Sequence, residues 1–222
     1  GLSLALWAPL YLCLPSGQRR LGQSIDLLNR FKVLGRQSAP WYVLIANASQ
    51  QMALFGLMTY FAAYMIESYG WDEAGTAPGL ALLGVGAVIG SFAGGFIAGR
   101  ARRLEWLAVI SLAGGAVTGL LFVLDVSAWI VVAMACVASV LVSVSMPVQL
   151  TLIMHLAGQS RGTAGGMLST SNQFGSFVGA SAGGLMLSLG GYPAVGLLYL
   201  VAAVLSASVV GLIMRRSPAF QD

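Results

Sequence analysis

Asn47, Gln50 and Gln51 stand at i, i+3 and i+4 in an otherwise apolar run, so a helix there carries three amides on one face. Asn172 and Gln173 form a second amide pair in another apolar run. Ser143, Ser145 and Gln149 flank Pro147 in a third. An amide facing hydrocarbon costs roughly 4 kcal/mol or more, so each of these groups must meet protein or a water-filled cavity. Two outcomes stay open: hydrogen bonds between helices, or the lining of a cavity for a neutral solute. Tyr60, next to Phe61 and four residues before Tyr64, and Met146, beside Pro147, could add adaptable apolar contacts. Asn47, Gln50, Gln51, Tyr60, Met146, Asn172 and Gln173 are therefore the candidate substrate-binding residues. No Asp, Glu, Lys, Arg or His lies well inside these runs. That leaves no nucleophile with its base and no set of metal ligands, so catalysis, a metal and a cofactor are not expected. His155, the only histidine, falls at the end of a run and reads as an interfacial residue. Cys13 and Cys136 lack a CxxC partner and read as buried thiols.

The elements that position these residues follow from composition. Charged residues make up 8% of the chain and hydrophobic ones 58%, where a soluble domain carries about 25% charged. Too few polar groups remain to cover a water-exposed surface, so the solvent for most of the chain is lipid. A spanning helix needs about 20 mostly apolar residues. Six such runs are predicted, at 41–66, 77–99, 106–124, 129–154, 164–188 and 194–214. Pro40, Pro78 and Pro193 mark helix starts, and Pro147 is expected to kink the fourth span. The run 1–15 is too short to span and has no basic leader, so it reads as the end of a truncated helix. Segment 16–40 reads as a linker in which Leu27, Leu28, Phe31 and Leu34 share one face of a short amphipathic helix. Residues 215–222 form a tail.

All 11 Lys and Arg residues fall in 16–40, between the second and third spans, between the fourth and fifth, or after the sixth. Alternating spans place every one on the same side. The opposite loops hold Glu67, Asp72, Glu73 and Asp125 and no cation. The positive-inside rule makes the basic loops and the C-terminus cytoplasmic. Ten arginines to one lysine suggest a bacterial source, and so an inner membrane. Trp41, Trp71, Trp106 and Trp129 fall at the predicted interfaces, as belt aromatics do. No nucleic-acid partner is expected.

Glycines recur every four residues at 86, 90 and 94 and again at 175, 179 and 183. Small residues at that spacing let helices approach closely in lipid. Gly90, Gly94, Gly175, Gly179 and Gly183 are thus candidate packing residues. Each stripe lies in the middle helix of a three-span unit, and an odd number of crossings inverts the second unit relative to the first. The expected fold class is an all-α polytopic membrane protein of six transmembrane helices, arranged as a 3+3 inverted repeat, behind the truncated helix.

The stretch from Gly86 through Gly95 to Gly99-Arg100-Ala101-Arg102-Arg103 resembles the loop signature of the major facilitator superfamily. That signature reads Gly, eight residues, Gly, three residues, Asp-Arg-x-Gly-Arg-Arg. Gly86, Gly95, Arg100 and Arg103 match it, whereas Gly99 replaces the Asp and Arg102 the Gly. Arg161-Gly162-Thr163-Ala164-Gly165 and the glycines after it look like the drug-efflux branches. The resemblance implies the C-terminal half of such a transporter, helices seven to twelve, with an N-terminal six-helix half missing. It implies alternating access, protons as the coupling ion, and a cytoplasmic gate that includes Arg100, Arg103 and Arg161. It also implies that both glycine-rich helices pack against the other half. Efflux of small hydrophobic molecules is the first expectation, because an uncharged half-cavity suits them better than anions. The alternatives are a sugar or metabolite uptake carrier of the same fold, and a non-transporting membrane scaffold or half-size subunit.

Overall fold

The computed structural model describes residue 32, residues 34–100 and residues 102–220. The truncated helix expected over 1–15 and most of the linker expected over 16–40 lie outside them. Every regular element among the described residues is helical. The chain forms α1 (Ser38–Tyr69), α2 (Glu73–Ala98), α3 (Arg103–Leu121), α4 (Ala128–Ala157) and α5 (Arg161–Ser208). A 3-10 turn, Gly158–Ser160, joins α4 to α5, and α5 passes into a π-turn, Val209–Ile213.

Local chemistry explains the ends. Asp72 caps α2 by accepting a hydrogen bond from the Gly75 N–H at 2.8 Å. α2 therefore starts four residues before the predicted run, and Pro78 is its sixth residue rather than its first turn's opener. α4 keeps helical backbone through Pro147, where a kink is expected from the sequence. The proline still withdraws the N–H that the Ser143 carbonyl would receive.

The predicted runs 164–188 and 194–214 merge into one helical stretch, broken only at Gly190 (φ −152°, ψ 18°) and Gly191 (φ 67°, ψ −164°). The break folds the arms 161–189 and 192–208 against each other. The Tyr199 hydroxyl donates to the Gly179 carbonyl at 3.1 Å, although 20 residues of straight helix span about 30 Å. Gly191 occupies backbone space that is essentially glycine-only. Gly191→Ala is expected to cost the full-length protein about 1–3 kcal/mol, read as a lowered Tm in detergent, and an unchanged Tm would remove this account of the corner.

Among the described residues, four stretches are long and apolar enough to cross a membrane by length and composition: α2, α3, α4 and Arg161–Ile213. α1 is longer than α2 but less apolar, because Asn47, Ser49, Gln50 and Gln51 interrupt it. All four of these side chains are buried, so α1 turns its polar face into protein.

α1 packs chiefly on α5, α2 on α4, and α3 on both α4 and α5. The glycine stripes explain two of these contacts. A Cβ on Gly90 would strike the Val140 carbonyl, and one on Gly94 the Val144 carbonyl. Gly175 and Gly179 meet the Ala48 and Met52 carbonyls of α1 in the same way. Both stripes thus lie against helices of this chain, not against another half as the resemblance implies. The contacts run in parallel register in each pair, whereas Gly115 with Ala203 and Gly119 with Gly196 make α3 and the second arm of α5 antiparallel.

Candidate functional site

The buried apolar residues form two clusters. One gathers Val43, Leu107, Leu152, Leu168 and Val210, and the other Leu57, Phe61, Leu83, Leu121 and Tyr199. Between them, by position along each helix, lies a layer of neutral polar groups from α1, α3, α4 and α5.

Asn47 reaches from α1 to the first arm of α5. Its Nδ2 donates to Asn172 Oδ1 at 2.5 Å and to Ser171 Oγ at 3.1 Å. Ser171 returns a hydrogen bond to the Leu44 carbonyl at 2.7 Å. Gln50, three residues on, turns the other way. Its Nε2 donates to Ser111 Oγ of α3, and its Oε1 accepts from Gln149 Nε2 of α4 at 3.0 Å. Ser206 closes the layer by donating to the Ala46 carbonyl at 3.1 Å. Asn47, Gln50 and Gln149 are each less than 5% exposed. Among the described residues, two buried side-chain atoms make no hydrogen bond, Ser143 Oγ and Gln149 Oε1. A buried acceptor left unpaired costs about 1–3 kcal/mol.

Of the residues singled out as substrate-binding, Asn47 and Gln50 join helices and Gln51 is buried on the same helix. Asn172 is half-buried as Asn47's partner. Tyr60 is half-buried, and its hydroxyl donates to the Ala180 carbonyl. Met146 and Gln173 remain exposed on the helix surfaces. The basic residues sit at helix ends: Arg100 and Arg161 are exposed and Arg103 is half-buried. Arg102 pairs with Glu105 at 2.6 Å. Gly86 of the loop signature faces the Cys136 carbonyl at 3.0 Å, while Gly95 has nothing within 4 Å of its Cβ direction. No group of three metal-ligating side chains occurs among the described residues.

Sequence reasoning did not single out Ser111 or Ser171, whose roles depend on neighbours far along the chain. It also passed over Tyr199, whose ring fills the space a side chain on Gly56 would take and whose hydroxyl, with the Tyr60 ring, fills that beside Gly183. A phenol in the middle of an apolar span was the available signal, since a buried hydroxyl needs a partner.

The layer consists of neutral hydrogen-bonding groups. With no charged group in α1–α5 except near helix ends, it offers no acid or base for proton transfer. Known proteins agree with a membrane carrier. The family model described as Major Facilitator Superfamily matches residues 1–180 and, in a second alignment, 43–221. A curated Escherichia coli (strain K12) protein named "Putative transporter AraJ" is 30% identical over 178 residues, which covers 74% of this chain and 42% of that protein. The chain thus spans less than half the length of this relative. No solved structure matches. A multi-pass helical chain that both family-model alignments cover over most of its length belongs to the major facilitator superfamily of membrane transporters.

Proposed function

We propose that this chain is the C-terminal half of a transporter that exports small hydrophobic molecules by alternating access, with its basic loops and C-terminus in the cytoplasm. One observation carries the choice of cargo. The amides best suited to a hydroxyl-rich solute, Asn47 and Gln50, are committed to other helices. Met146 and Gln173 remain exposed instead, one adaptable apolar side chain and one amide. That favours a hydrophobic cargo over a sugar. The 3+3 inverted repeat draws support from the paired seams: the middle helix of each triplet lays glycines on the first helix of the other. Proton coupling would draw on a carboxylate away from this uncharged layer, in the N-terminal half that the resemblance implies. Arg100, Arg103 and Arg161 belong to the cytoplasmic gate on this reading.

The test uses everted membrane vesicles bearing the full-length protein, a lipophilic fluorescent cation and an imposed pH gradient. Met146→Ala with Gln173→Ala is expected to slow dye movement about tenfold, the range for losing a close apolar contact, at unchanged protein abundance. Normal transport by that variant would sink the assignment of these two residues to the cargo path. Sugar accumulation without dye movement would instead favour the uptake carrier. Gln50 is unsuited to this test, because changing it disturbs packing as well as any cavity.

A further inference from the structure

A groove of about 440 Å³ opens between the start of α1 and the first arm of α5, bounded by Trp41, Leu44, Ile45, Met167 and Phe174. Its polar neighbours are already committed. The Trp41 indole N–H donates to the Gly35 carbonyl at 2.9 Å, Thr170 Oγ1 to the Gly166 carbonyl at 3.0 Å, and Ser171 Oγ to the Leu44 carbonyl. The groove therefore offers an occupant only apolar contact. Yet Trp41, Ile45 and Phe174 are 47%, 42% and 63% exposed, so its walls are open.

Among the described residues, the charges next in sequence to the groove lining stand at its Gly35 end. Gly35 closes that end, and the exposed cations Lys32 and Arg36 lie on the same turn, with the Arg36 N–H donating to the Lys32 carbonyl at 3.1 Å. The walls then run away from the charge, since Ile45 is one helical turn beyond Trp41, about 6 Å. An apolar trough with two cations and an interfacial tryptophan at its mouth matches one chemistry: an acyl chain ending in an anionic phosphate headgroup.

We propose that the groove between α1 and α5 binds an anionic glycerophospholipid, its acyl chain along Trp41, Ile45 and Phe174 and its headgroup on Lys32 and Arg36. The inference rests on the chain being a membrane protein and not on transport. Residents of this groove would brace α1 against α5 near the Asn47–Asn172 contact.

The full-length protein in detergent micelles, titrated with brominated phosphatidylglycerol and brominated phosphatidylcholine of the same chains, tests this through tryptophan quenching. Phosphatidylglycerol is expected to quench at several-fold lower concentration. Trp41→Phe should remove the lipid-selective part of the quenching. Lys32→Ala with Arg36→Ala should bring the two lipids level, and Thr170→Phe should weaken both by filling the trough. Equal quenching by the two lipids in the unmodified protein would overturn the headgroup site. Selective quenching that survives Trp41→Phe would show that the lipid sits elsewhere or that another part of the protein covers the groove. Displacement by inorganic phosphate alone would overturn the acyl component.

Discussion

Gly175→Leu in the full-length protein is expected to abolish recovery of folded transporter from membranes. A Cβ at 175 falls on the Ala48 carbonyl, carbonyl carbon and Cα, so backbone, not a rotatable side chain, stands in the way. Leucine would gain roughly 1 kcal/mol of helix propensity over glycine. Overpacking costs about 1–3 kcal/mol where neighbours can give, and here they cannot without parting α1 from α5. Gly90→Leu should behave alike, since its Cβ meets the Val140 carbonyl. Gly166→Leu is the control, because nothing lies within 4 Å of its Cβ direction. The readout is the monodisperse fraction in fluorescence-detected size exclusion. A normal profile for Gly175→Leu would mean that the α1–α5 seam is wrongly drawn.

Gln50→Leu is expected to be the most damaging of the amide substitutions. Gln50 serves two helices at once, accepting from Gln149 and donating to Ser111. Its loss leaves both amide ends of Gln149 without a hydrogen bond, because Gln149 Oε1 already has none. An unsatisfied buried group costs about 1–3 kcal/mol, well above the roughly 0.6 kcal/mol of an average interhelical hydrogen bond in membranes. The two figures separate in a double-mutant cycle. If the cost is an orphaned amide, Gln50→Leu with Gln149→Leu should regain most of the Tm lost by Gln50→Leu alone. If the two effects simply add, the pair does not interact as drawn.

Much of this architecture is legible without coordinates, and the gaps have physical causes. Helix limits follow charges and prolines: α3 and α4 end within a few residues of their predicted bounds. The glycine stripes announce a close contact through spacing alone. Spacing names the face, however, and not what covers it, so the seams' partners in α4 and α1 could not be read. The amides of α1 show the same limit. In a soluble helix, polar residues point to water and reveal orientation. Here lipid and core are both apolar, so a buried Asn47 bonded to α5 and a cavity-lining one carry the same local signature. Gly56 has no repeat around it, so nothing marked it as half of the socket for Tyr199. The sequence reads a gap between spans at 189–193, where the structure has one helical stretch broken at Gly190 and Gly191.

The seams also index the helices. Glycines at 86, 90 and 94 recur about every 6 Å along α2, and the Val140 and Val144 carbonyls recur at the same pitch along α4. Each carbonyl rests in a notch. Sliding α2 by less than a notch drives the shoulders of the stripe onto a carbonyl, and sliding it a full notch one way brings the Ala98 methyl to where Gly94 stood. The same holds for Gly175 and Gly179 on Ala48 and Met52. No rotamer change can lubricate such a joint, because backbone bears on backbone. Each pair, α2 with α4 and α1 with the first arm of α5, therefore behaves as one keyed strut of fixed length, and freedom to move is left to the joints between struts.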